Sequence, residues 1–228
     1  MRNKYNNFRL LIVSKSPELG RVKTRMQPGL SKEESVQLHI ALTLHCLQKC
    51  LASKLCSIDL WVGGDMECFK KNIGYLLPSQ YKYGLYPQVP GNIGDKMSAA
   101  FRVSLQTQID SNHSKGILLL GTDCPFIDKG YLLQAIEYLD TKCDVVIGPV
   151  NDGGYVLLGM KQYHPTLFEN INWGSDSVFA DTVLRIQQLG LSYQTLPYLS
   201  DIDTVNDLPL LAEVQDSISL MSFAIKTP

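Results

Sequence analysis

Apolar and polar positions follow two rhythms along this chain. Compact apolar runs at Phe8–Ser14, Ser57–Val62, Ile117–Leu120, Asp144–Gly148, Tyr155–Gly159 and Tyr193–Leu199 predict strands, and the Tyr-rich stretch Tyr81–Gln88 adds another. Between them, apolar residues recur at spacings of three and four. Val36, Ile40, Leu44, Leu47 and Leu51 follow a capping box at Ser31 and Glu34. Met97, Phe101, Leu105 and Ile109 mark a second helix, and Leu132, Ala135, Ile136 and Leu139 a third. Val178–Leu189 forms a fourth, with Gly190 placed as its left-handed terminal residue. Strand–helix alternation of this kind predicts an α/β fold, a three-layer sandwich whose mostly parallel central sheet carries helices on both faces. No repeat, low-complexity stretch or linker interrupts the pattern, so residues 1–228 read as one domain.

Composition narrows the classes. With 45% hydrophobic and 19% charged residues, 228 positions suffice for a sizeable core, which excludes disordered and collagen-like chains. A net charge of -1 argues against a general nucleic-acid binder. The charge is uneven, however: residues 1–30 hold seven Lys/Arg and one acid, Glu18, which suggests a small anionic ligand near that end. The six cysteines form no CxxC pair or regular framework, and Cys46 and Cys50, four apart on a helix, fit burial better than zinc ligation. Leu10–Val13 is too short for a signal core, and no run approaches ~20 apolar residues. The expectation is a reduced, cytoplasmic protein with free thiols and no membrane span.

Ligands of open α/β sheets collect where loops leave the carboxyl ends of strands, and four polar loops are predicted there. Lys15 to Arg25 crowds Lys15, Arg21, Lys23 and Arg25 after the first strand, a set able to bind phosphate; on charge alone a solvated basic loop fits equally well. Lacking the glycine spacing, it is neither a P-loop nor a dinucleotide fingerprint. Pro90-Gly91-Asn92-Ile93-Gly94-Asp95 opens a helix, either approaching a ribose or base or simply starting the helix with Asp95 at the favourable end of its dipole. Asp123 follows the most apolar strand, as a ligand for a hard divalent cation or as a turn residue. Asn151-Asp152-Gly153-Gly154 is also what an ordinary hairpin turn looks like, and Asp201 and Asp203 share a face if their segment is extended. Thr204 and Asp207 form another capping box, with Pro209 close behind.

In order, Lys15-x-Pro17-x-x-Gly20-x-Val22-Lys23-Thr24-Arg25, Gly94-Asp95-Lys96-Met97, Gly121-Thr122-Asp123-Cys124-Pro125, Asp152-Gly153-Gly154-Tyr155, Trp173-x-Ser175-Asp176 and Asp201-Ile202-Asp203-Thr204 resemble the nucleotide-diphospho-sugar transferase superfamily with the A-type glycosyltransferase fold, specifically its bacterial group of uncharacterised members. The resemblance implies a Rossmann-like fold and a metal-dependent transferase acting on a nucleotide-activated sugar donor. It implies Asp123 and Asp203 as ligands of Mg²⁺ or Mn²⁺, and Lys15, Lys23 and Arg25 facing phosphates. Gly94 and Asp95 would approach the ribose or base, and Gly153 and Gly154 would line the acceptor side. Asp152 is a candidate general base for a hydroxyl acceptor, or only a hydrogen-bond partner of the sugar. The partners implied are a nucleotide or nucleotide-sugar and a small-molecule acceptor.

Two departures matter. The Gly-rich first loop of the nucleotidyltransferase branch is absent, and Gly121 stands where a DxD pattern would put its first acid. Nucleotidyl transfer from a triphosphate and a non-catalytic nucleotide-binding regulator are the alternatives. Two further expectations follow. Lys23 and Arg25 are replaceable without loss of folding stability, and Asp123 and Asp203 lie close together as unpaired carboxylates that repel without a cation.

Overall fold

The structure, a computed structural model, describes residues 3–27, 29–79, 82–109 and 115–214, the side chains of 107–109 excepted. Its strands are β1 (Phe8–Lys15), β2 (Ser57–Gly63), β3 (Gly84–Pro87), β4 (Gly116–Gly121), β5 (Val145–Pro149), β6 (Tyr155–Met160) and β7 (Tyr193–Thr195). They form one sheet in the order β3-β2-β1-β4-β6-β5-β7, parallel except for β6, which runs against β4 and β5. The central pair, β1 and β4, ends at Lys15 and Gly121, so the first basic loop and the Asp123 loop leave the same edge side by side.

Side chains alternate across the pleat and so divide the core in two. Leu10, Ile12, Ile58, Leu60, Leu118 and Leu120 face the layer of α1 (Lys32–Ser53), α2 (Met66–Asn72) and α4 (Lys129–Thr141). Leu11, Trp61, Ile117 and Leu119 face α3 (Ile93–Ile109) and α5 (Val178–Gln188). The expected three-layer α/β sandwich is what the chain forms. A smaller cluster joins Met26 and Leu30 to Leu38 and Leu42 of α1 and to Ile202, Leu208 and Leu211, so the basic loop and the segment bearing Asp203 are anchored to one apolar pad.

The capping box at Ser31 and Glu34 is formed, and Gly190 has the left-handed φ of 66°. Met97, Phe101 and Leu105 are buried as expected, while the side chain of Ile109 and the residue Tyr81 lie outside the described residues. Two elements differ from expectation. The sequence pattern left 66–72 without a helix, yet Asp65 caps α2 by accepting from the N–H groups of Glu67 and Cys68. Seven residues with Phe69 buried are too few to show a period, and the cap was the readable signal. The final strand stops at Thr195, not Leu199, because Pro197 has no N–H for the ladder. The backbone still tracks β5 through Leu196 N–H to Ile147 and Leu199 N–H to Pro149.

All six cysteines are free thiols, and every one but Cys68 is buried. Burial pushes the thiols of Cys56 and Cys124 up to about 12. No described helix is long and apolar enough to cross a membrane.

Candidate functional site

A cavity of about 540 Å³ opens at the carboxyl edge of β1 and β4, reached by Lys15, Arg21, Lys23, Arg25, Lys96, Asp123 and Asp203. A second of about 390 Å³ continues from it past Glu18, Gly63, Gly64 and Val89, sharing Lys15, Arg21, Gln88, Gly91 and Lys96. Gln88 braces this edge, its Nε2 donating to the carbonyls of Ser14 at 3.1 Å and Trp61 at 2.8 Å. Below the floor, the hydroxyls of Ser14, Thr43 and Thr122 bond to one another at 3.3 to 3.5 Å. This buried polar triangle ties β1 and the Asp123 loop to α1.

The cations of the first loop do not act alike. Lys23, in a left-handed conformation (φ 49°), turns inward with 3% of its side chain exposed. Its Nζ lies 2.6 Å from Asp123 Oδ1 and donates to the Ile202 carbonyl at 2.5 Å. Arg25, two residues on, is 61% exposed and pairs with Asp203 Oδ2 at 2.7 Å. Lys15 and Lys96 make no ion pair among the described residues, and Arg21 reaches only Glu18, at 3.4 Å. Beyond Arg25, the solvent-facing positive charge of the cleft rests on Lys15 and Arg21, both in the basic stretch the sequence marked, and on Lys96 at the start of α3.

The segments bearing Asp123 and Asp203, 80 positions apart, adjoin: the Ile202 N–H donates to the Asp123 carbonyl at 3.0 Å, and both carboxylate side chains line the cavity. They are not unpaired, however. Each already has a cation, so the expected mutual repulsion is offset within the protein. Burial works to raise the Asp123 carboxyl, but Lys23, then His39 and Lys15, outweigh it and hold it below its ordinary value. His39 is buried, its Nε2 2.9 Å from the Lys15 carbonyl oxygen, and burial lowers its pKa against the pull of Asp123. Asp201 moves the other way, raised to about 6 by burial and by Asp152, Asp203 and Asp123. The Arg25 guanidinium is held above its ordinary value mainly by its bond to Asp203.

The remaining candidates lie at the margins. Asp95 is committed to starting α3, exchanging hydrogen bonds with Asn92: Asn92 N–H to Asp95 Oδ2 at 2.9 Å and Asp95 N–H to Asn92 Oδ1 at 3.0 Å. Gly94 faces Trp173; a Cβ there would lie 2.3 Å from the indole Nε1, so its glycine is explained by packing. The 150–154 segment is the turn of the β5–β6 hairpin. Asp152 is exposed and accepts from the Gly154 N–H at 3.0 Å. Gly153 (φ 88°) sits so close to the Asp176 carbonyl that a Cβ would meet it at 2.0 Å. Asp152, Gly153, Gly154, Gly94 and Asp95 do not line the main cavity, although the fields of Asp152 on Arg25 and Asp201 place it by the same rim. Lys96 stood in a motif of the sequence without a role, and His39 and Gln88 were missed because single polar residues on separate elements form no sequence motif.

The fold and this edge have counterparts among known proteins. A protein from Desulfovibrio desulfuricans G20, provisionally described as a nucleotide-diphospho-sugar transferase, superposes with a TM-score of 0.80 at 26% identity, covering 97% of this chain and 94% of its own. The 4-diphosphocytidyl-2C-methyl-D-erythritol synthase of Anaerococcus prevotii DSM 20548 shares the fold at 13% identity and a TM-score of 0.53, covering 96% of this chain and 95% of its own. A CMP:2-keto-3-deoxy-manno-octonic acid synthetase, solved with CTP, does so at 8% identity and 0.53, covering 92% and 98%. No curated protein matches the sequence. Residues 46–175, more than half of the chain, match the family described as "Uncharacterized protein conserved in bacteria (DUF2064)", and the chain belongs to that family.

Proposed function

We propose that this protein is a transferase of the nucleotide-sugar type, moving a glycosyl group from a nucleotide-activated donor to a small acceptor with the help of a divalent cation. The observation that carries the reading is the polarity of the cleft. Solvent-facing cations, Lys15, Arg21 and Lys96, gather on one side, and the carboxylates Asp123 and Asp203 stand on the other, at the edge where β1 and β4 end. The description of the Desulfovibrio protein supports it. In this reading the three cations hold the donor's phosphates, Arg as a fork and Lys as point charges.

The donor set fits a hard cation, because Mg²⁺ takes one or two carboxylates and fills its shell with phosphate oxygens and water. Asp123 is half-exposed and Lys23 holds only its Oδ1; Arg25 holds only Oδ2 of Asp203. When bound, the ion would offset negative charge developing on the leaving group. Gln88 and the hydroxyl triangle keep the floor rigid beneath the donor. Asp152, at the rim, orients the acceptor hydroxyl or takes its proton.

Nucleotidyl transfer is the second reading. It is favoured by Gly121, which leaves Asp123 without an acid two residues earlier, and by the fold shared with two enzymes named for cytidylyl products. One experiment separates the two readings: thermal stabilisation by nucleoside triphosphates, nucleoside diphosphates and nucleotide-sugars, with and without Mn²⁺. Ligand at about 100 times its Kd should add roughly 2.7 kcal/mol. A response to UDP- or GDP-sugars supports glycosyl transfer, and one confined to a triphosphate supports nucleotidyl transfer. Silence toward all nucleotides overturns both.

A further inference from the structure

Lys23 sits where a cation joining the two carboxylate segments would have to work. Its Nζ contacts Asp123 and the carbonyl of Ile202, the residue directly before Asp203, and the Ile202 N–H returns a bond to Asp123. The ammonium is almost fully enclosed, and its anchors are internal: Val22 and Met26 are buried on either side, and the loop rests on the same apolar pad as Ile202. An exposed phosphate-binding lysine would instead keep its head in the open cleft, as Lys15 and Lys96 do. We infer that Lys23 is a resident counter-cation of Asp123, a positioning residue that opposes divalent-ion binding in the free protein. The inference rests on the reading of Asp123 as a metal ligand.

The physics is that of two cations sharing one carboxylate. With Lys23 on Oδ1, an ion arriving at the other oxygen meets a site whose charge is already neutralised, and a like charge close by in a poorly solvated floor. Arg25 does the same to Asp203, but from the solvent side, where water screens it and the side chain can swing away. The two carboxylates are therefore already matched by two cations, and Lys15, Arg21 and Lys96 add further positive charge along the same cleft. What tips the free site toward a metal is the additional negative charge of the donor's phosphates. Metal and nucleotide consequently bind as coupled ligands, and Lys23 sets the strength of that coupling.

The test is Mn²⁺ affinity in the absence of nucleotide, read from the paramagnetic resonance signal of free Mn²⁺ and from calorimetry. Lys23→Met and Lys23→Gln remove the charge, the amide of Gln retaining a donor for Ile202. Either should bind Mn²⁺ at least about fivefold more tightly than wild type, and Asp123→Asn added to either should cancel the gain. Lys23→Arg keeps the charge and should stay near wild type. Should a charge-removing variant fold only with metal present, Mn²⁺-dependent recovery of its native circular dichroism, absent in metal-free buffer, is itself the expected result. Equal affinity in wild type and the neutral variants overturns the inference, as does no Mn²⁺ binding by any of them. The nucleotide reading fails separately: tighter Mn²⁺ binding without stabilisation by any nucleotide would leave Lys23's role intact and remove the transferase assignment.

Discussion

Two ion pairs made from one loop divide the candidate site into a rigid half and a yielding half. Lys23 and Arg25 are two residues apart, and each meets a carboxylate far along the chain, Asp123 for the first and Asp203 for the second. Lys23 is buried and meets Asp123 from beneath, whereas Arg25 is mostly exposed and meets Asp203 from solvent. The first pair has given up water on its cationic side, so removing Asp123 strands the Lys23 charge. The second exchanges with water at little cost. A basic motif therefore holds two kinds of cation, one belonging to the framework and one free to respond to a ligand.

The largest expected effect breaks the framework pair. Asp123→Ala leaves the Lys23 ammonium enclosed with only the Ile202 carbonyl, and urea unfolding should show a loss of about 3–5 kcal/mol. Lys23→Met should cost less, on the order of 1–3 kcal/mol, because Asp123 keeps access to water through the cavity; a melting temperature unchanged from wild type would return Lys23 to the solvated-loop reading. Arg25→Met sharpens the contrast, with an expected change within about 1 kcal/mol in the same measurement. A loss as large as that of Lys23→Met would erase the distinction. Lys15→Ala and Arg21→Ala should lie within about 0.5 kcal/mol of wild type in stability while weakening nucleotide binding in the thermal-shift screen, the opposite signature to Lys23.

A further contrast lies in the pH dependence of the metal-free protein. Asp201 titrates near 6 in the fold, above the ordinary carboxyl value, so the folded state holds its proton more tightly than the unfolded chain. Its contribution favours folding at low pH and declines as pH rises from about 4 to about 6. Asp123 has the reverse sign: its lowered value stabilises the fold above the ordinary carboxyl range, and that contribution disappears as pH falls through its folded value. Asp201→Asn should abolish the first component and leave the acid-side loss from Asp123. An unchanged stability profile between pH 4 and 6 would show that Asp201 is as well solvated as its exposed neighbours.

Burial patterns made much of this molecule legible in advance. Strands buried on both faces appear as continuous apolar runs, and capping residues declare where helices begin, so β1, β4, α1 and α4 could be read directly. The short α2 and the truncated β7 could not, since seven and three residues carry too little pattern. At the site, the sequence brought forward Asp123, Asp203 and the basic loop because residue types at strand ends carry chemical meaning on their own. It counted seven cations near the amino end as one charge, but the described ones divide: Arg9 pairs with buried Asp59 in the sheet, and Lys4 lies 5.1 Å over the Tyr5 ring. Residue type and spacing determined the layers, the edge and the candidate carboxylates, since these depend on local propensity and hydrophobic period. Only the tertiary structure decided which lysine faces inward, which faces the open cleft, and that the two carboxylates arrive already paired. Those outcomes depend on distance and dielectric between segments far apart in the chain, and neither quantity is written in local order.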